Sequence, residues 1–152
     1  PKIILKCTKK IIYLLQEIKY NNKRRSDNMI LKYDENKKSL ERIELEEGEE
    51  IASVVINNLN GSAITLGHKR ISIGFWVNEN ALDTGEYTHI TEVAFKGDNL
   101  PPSDLVGSFI ITGTQGDKPK ELSEEQVDMI EKSLKTSSMT SMEYLEYVKN
   151  SN

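Results

Sequence analysis

Two short runs in this 152-residue chain repeat one arrangement. Ala63-Ile64-Thr65 and Ile110-Ile111-Thr112 each set a threonine two residues after an aliphatic residue in a β-prone stretch. Positions i and i+2 share a face of a strand, so Ala63 points with Thr65, and Ile110 with Thr112. The second run continues as TGTQGDKPKEL, where Thr112, Thr114 and Lys118 bring hydroxyls and a cation to a stretch loosened by Gly113 and Gly116. Such donors suit a phosphate group. His68 and the intact His89-Ile90-Thr91 are the proton-transfer candidates, and their spacing allows two neighbouring strands to carry an acid and a base. Phe75 and Trp76 could stack a nucleobase, although aromatic residues in a strand also serve as core.

The chemistry that needs a dedicated motif is missing. There is no GxxxxGK[ST] phosphate loop, no GxGxxG after a strand, no HExxH, no CxxC pair and no GxSxG elbow. One cysteine, Cys7, and two histidines are too few for a structural zinc site or an internal disulfide, so no metal and no cofactor are expected and a reducing cytoplasm is the expected compartment. Lysine and arginine number 20 against 24 acidic residues, a net charge of -4, which offers no broad basic field to a DNA duplex.

The runs AITLGHKR at 63–70 and IITGTQGDKPKEL at 110–122 resemble the paired HxT motifs of the 2H phosphoesterase superfamily. The resemblance is to the cyclic-phosphodiesterase domains of fungal-type tRNA ligases and their phage relatives, whose motifs read like HVTLxH and HITxGT followed by a KP pair. MILKYDENKKSLE at 29–41 is similar to that family's opening strand and helix, and ITEVAF at 90–95 to a central strand. The resemblance spans residues 29–122 and implies a metal-independent hydrolase of cyclic phosphodiesters, either a cyclic oligonucleotide signal or an RNA end with a 2′,3′-cyclic phosphate. It implies phosphate-gripping roles for Thr65 and Thr112, with Thr114, Lys118, His68 and Trp76 as ligand-binding neighbours. The family's general base and acid are histidines, but Ala63 and Ile110 stand in their places. Neither side chain carries a proton. The resemblance therefore implies a binding-only or inactivated member, and hydrolysis only from a form with histidine at both positions.

The elements expected to position these residues make an α+β domain, a small mixed or antiparallel sheet with flanking helices, in a single unit over 1–152. Ile11, Leu14, Leu15 and Ile18 at helical spacing after Thr8 predict an amphipathic helix over 8–20, followed by a polar loop with Lys23, Arg24 and Arg25. The surrounding lysines would also suit a membrane-surface helix, but packing on the domain is the expectation and no membrane partner is expected. MILKY predicts a strand, and Asp34 with Leu40, Ile43 and Leu45 a helix after it. Ile51, Val54, Val55 and Leu59 predict a second helix with Gly61 near its end. Four β runs follow (SAITLGH, RISIGFWV, THITEVAF, LVGSFIITGT), with loops at 78–86 and 96–104. The part from 123 to 152 returns to helices, capped by Ser123 with Gln126 and by Thr140 with Glu143.

A different class of function is open on the same residues. Glu44, Glu46, Glu47, Glu49 and Glu50 crowd one short stretch, which lacks the alternating ligand spacing of a calcium loop. Such a stretch suits a small acidic immunity or inhibitor protein that covers a basic partner.

Overall fold

The computed structural model describes residues 29–60, 63–68, 72–97 and 103–151, with 63–68 and Leu82 described through their backbone alone. The expected 8–20 helix, the basic loop after it and Gly61 lie outside the described residues.

The chain forms two antiparallel sheets. The larger has the order β2-β1-β7-β4-β3, from β1 (Met29–Asp34), β2 (Ser39–Glu44), β3 (Ala63–His68), β4 (Ile73–Asn78) and β7 (Phe109–Gln115), with the short β8 (Lys118–Lys120) paired to β7. The smaller has the order β6-β5-β9, from β5 (His89–Phe95), β6 (Ser103–Val106) and β9 (Leu134–Thr140). Among the described residues the helices are α1 (Ile51–Leu59), the single turn α2 (Ala81–Thr84), α3 (Glu124–Ser133) and α4 (Ser141–Asn150). The α+β expectation holds in its antiparallel form.

The larger sheet buries both faces, and the period-2 alternation of its strands shows how. Met29, Leu31 and Tyr33 of β1, Ile73, Phe75 and Val77 of β4, and Phe109 and Ile111 of β7 share one apolar cluster with Val93 and Leu105 of the smaller sheet and Val127 and Ile130 of α3. The intervening residues Ile30, Trp76 and Ile110 form a second cluster against Val54, Val55 and Leu59 of α1. Within the first cluster the Tyr33 and Phe109 rings stack at 4.8 Å.

This double burial overturns the helix expected after Asp34. Residues 39–44 pair with β1 as a hairpin from Asp34↔Ser39 to Met29↔Glu44. Leu40 and Ile43, three apart, look helical, but in a strand an odd separation puts them on opposite faces. Leu40 packs on the first cluster and Ile43 on the second. Asp34 does cap, though a turn and not a helix: its Oδ1 accepts from the backbone N–H of Asn36 at 2.9 Å and of Lys37 at 3.1 Å. Those two N–H groups hold its carboxyl below the usual carboxylate range. Lys38 closes the turn at φ 56.

Four further expectations shift. LVGSFIITGT is two strands in different sheets, separated by Gly107 at φ 73, where the chain passes from the smaller sheet to the larger. The stretch read as a loop at 78–86 contains α2, and the run after Gly116 is a hairpin in which Lys118 pairs with Gln115. The polar run 134–140 is strand β9, paired along its whole length from His89↔Thr140 to Phe95↔Leu134. The predicted α1 forms, with Asn60 taking the left-handed terminal position at φ 59. Both capping boxes form as well, Ser123 with Gln126 and Thr140 with Glu143.

Candidate functional site

The structure brings the two threonine motifs into one sheet. β4 lies between β3 and β7, with Thr65 opposite Trp76 in the backbone register, Trp76 opposite Ile110, and Gly74 opposite Thr112. Two strand spacings of about 4.8 Å separate the motif backbones. The second motif is interior. Ile110 and Thr112 have no exposed surface, and Trp76 is 8% exposed beneath α1. The Trp76 indole Nε1 donates to Thr112 Oγ1 at 2.7 Å, and that hydroxyl donates to the Gly113 carbonyl at 2.6 Å. The single hydroxyl proton is thereby used, and one acceptor position is filled.

The companions named with these threonines are dispersed. Thr114 is half-buried and stands opposite Pro119, whereas Lys118 is exposed opposite Gln115, so the hydroxyl and the cation project from alternate faces of the hairpin. His68 belongs to the larger sheet, opposite Ile73, and His89 opens β5 in the smaller one. Phe75 and Trp76 are both buried, on opposite faces of β4. Thr91 has no exposed surface either. Its hydroxyl meets Ser138 Oγ at 2.7 Å, which meets the Tyr33 phenol at 2.7 Å, a hydroxyl chain that joins the two sheets.

The densest polar constellation involves a residue that no motif announces. Glu35, in the β1–β2 turn, accepts at one oxygen from Thr88 N, Thr88 Oγ1 and His89 N, each at 2.8 Å. Its own N–H donates to Ser108 Oγ at 3.0 Å. Thr88 Oγ1 also lies 2.8 Å from His89 Nδ1. A hydroxyl has one proton, so with that proton on Glu35 the imidazole donates from Nδ1. Through its carboxylate and its backbone N–H, Glu35 ties together the first hairpin, the start of β5 and the β6–β7 corner. Beside it lies a cavity of about 290 Å³ whose polar lining includes Lys32, Asn58, Asn60, Asn78 and Ser108. Sequence reading had no route to Glu35, because its partners lie more than fifty residues away along the chain.

Electrostatically the surface is acidic. Glu44, Glu46, Glu47, Glu49 and Glu50 are all exposed, and none of them is in an ion pair among the described residues. Gly48 turns this stretch at φ 84, and Glu49 accepts from the Glu46 N–H at 2.8 Å. On the neighbouring edge, Arg42 of β2 donates to Glu131 of α3 at 2.9 Å, with Asp128 and Glu124 also in its field. Glu131 accordingly sits below the ordinary glutamate range, and Arg42 above its own.

Among the described residues no group of three or more His, Cys, Asp or Glu could hold a metal ion, and no helix is long and apolar enough to cross a membrane. No family model, no curated protein and no solved structure matches the chain.

Proposed function

We propose that this chain is an acidic binding module that acts by covering a basic surface of a protein partner. The observation that carries this reading is the 44–50 stretch, whose five glutamates are exposed and have no ion-pair partner among the described residues. Unpaired surface charge of one sign contributes little to folding, but it raises the encounter rate with a surface of opposite sign. The test is affinity isolation from the source cells, comparing the native chain with a variant in which Glu44, Glu46, Glu47, Glu49 and Glu50 are all glutamine. One protein retained by the native chain at low salt, and lost both in the variant and at high salt, is the expected result. Equal retention by both chains would refute the reading.

The phosphodiester reading stands second, supported by the placement of Thr65 and Thr112 on strands flanking one tryptophan-bearing strand. Because Thr112 has no exposed surface and shares a strand face with Ile110, which packs on α1, that reading requires this cover to open before a ligand enters. A thermal-shift panel of cyclic dinucleotides, cyclic trinucleotides and 2′,3′-cyclic nucleotides separates the two: a phosphodiester binder is stabilised by one of them, and an acidic module by none. Turnover is expected only after Ala63→His with Ile110→His.

A further inference from the structure

The outer face of the smaller sheet carries a cross-strand arrangement that folding by itself does not favour. Glu92 of β5 stands directly opposite Asp104 of β6. Both are exposed. Directly opposed side chains lie about 5 Å apart at Cβ, and like charges so placed repel. Among the described residues no lysine or arginine lines the cavity of about 220 Å³ that these carboxylates border. What closes it is aromatic: Tyr144 and Tyr147 of α4, with Ile90 and Met139 at its base and Ser137 beyond Glu92 in the same cross-strand row. The two tyrosine rings stack with centroids 6.5 Å apart. The Tyr144 hydroxyl donates to Asp104 Oδ2 at 3.1 Å, which fixes one carboxylate under the aromatic pair. Tyr147 is 60% exposed and leaves the mouth open.

Two carboxylates, two phenol rings and a methionine are the donor set for an organic cation: the carboxylates supply charge, and the ring faces attract a cation through their quadrupoles. The rings are too close for a flat group to slide between them, so the cation sits against their faces and edges. We infer that this pocket receives a single lysine or arginine side chain from a basic peptide segment of the partner. The inference rests on the acidic-module reading and gives it an anchor, since a side chain held in a pocket contributes more to residence time than rim charge does.

The experiment titrates the full chain with three acetylated, amidated peptides of equal length, carrying one central arginine, lysine or glutamate, and follows backbone amide shifts by NMR. The expected result is saturable binding of the arginine or lysine peptide with shifts centred on residues 92, 104, 144 and 147, and none with the glutamate peptide. A Glu92→Gln, Asp104→Asn double variant should bind about ten-fold more weakly. It should also melt no lower than the native chain, because the cross-strand repulsion is gone. That second readout separates loss of the site from loss of the fold. Tyr147→Ala should weaken binding several-fold, whereas neutralising the 44–50 glutamates should leave this titration unchanged. Binding insensitive to the Glu92/Asp104 variant, or equally sensitive to the 44–50 variant, would overturn the pocket. If the natural partner depends on 44–50 but not on 92 and 104, the pocket falls and the acidic-module reading survives; if it depends on neither, both fall.

Discussion

Trp76 and Thr112 form a buried indole-to-hydroxyl hydrogen bond of 2.7 Å across β4 and β7, under the apolar cover of α1. A hydroxyl placed to satisfy a buried N–H is a structural element, and it explains why a threonine stands among aliphatic neighbours. Thr112→Val keeps the shape and removes the acceptor, so the indole N–H is stranded in the core at a cost of about 1–3 kcal/mol. Thr112→Ser should recover most of that stability. Urea denaturation of the two variants, with Trp76→Phe combined in a double-mutant cycle, checks the pairing: the two losses should be less than additive.

Ile110, which the resemblance to 2H phosphoesterases would align with a catalytic histidine, packs with Val54, Val55 and Leu59. Ile110→Ala should lower stability by about 2–5 kcal/mol through the cavity it leaves. Leu145→Ala, at a residue 58% exposed, should stay within about 0.5 kcal/mol. Equal losses at the two positions in chemical denaturation would contradict this division between core and surface.

The Glu35 carboxylate satisfies two backbone donors at the start of β5, Thr88 N and His89 N. Glu35→Ala removes their shared acceptor, and faster hydrogen exchange is expected at Thr88 and His89, and at Gly107, whose N–H bonds to the His89 carbonyl at 2.9 Å. Glu35→Gln retains a carbonyl acceptor and should exchange far more slowly at these sites.

Ser138 links Thr91 to Tyr33 and so joins the two sheets through hydroxyl groups. Ser138→Ala should destabilise the fold by about 1 kcal/mol or more, because two hydroxyls lose their shared partner. Adding Tyr33→Phe and Thr91→Val should not triple the loss; thermal unfolding of the single and combined variants measures the coupling.

The pH dependence has a definite sign at the α3 edge. The Arg42 guanidinium holds the Glu131 carboxyl below its ordinary value, so this pair stabilises the fold above the unfolded glutamate range. That contribution is lost as pH falls through the lower folded value. Since the pair is solvent-accessible, it should contribute only about 0.2–1 kcal/mol near neutrality. Unfolding of Arg42→Gln should differ from that of the native chain at pH 7, and the difference should shrink steadily as the pH is lowered below the ordinary glutamate range.

The sequence alone determined the features that depend on near neighbours. The Ser123 and Thr140 capping boxes, the 51–59 helix and the β character of the 63–68, 73–78, 89–95 and 109–115 runs follow from side chains that reach only three or four residues, or from alternation within one strand. Tertiary structure decided the rest. Leu40 and Ile43 are apolar at a helical interval because the larger sheet is covered on both sides, a fact that resides in the second sheet and α1 and not in residues 39–44. Strand β9 carries few apolar residues because it lies at a sheet edge, so its pairing with β5 left no periodic mark. Whether Thr112 faced a ligand or a tryptophan was set by the register of β4 against β7, and the opposition of Glu92 to Asp104 by that of β5 against β6. Local propensity says which residues prefer a strand, but register is fixed by burial of a whole face, and only the assembled core supplies that.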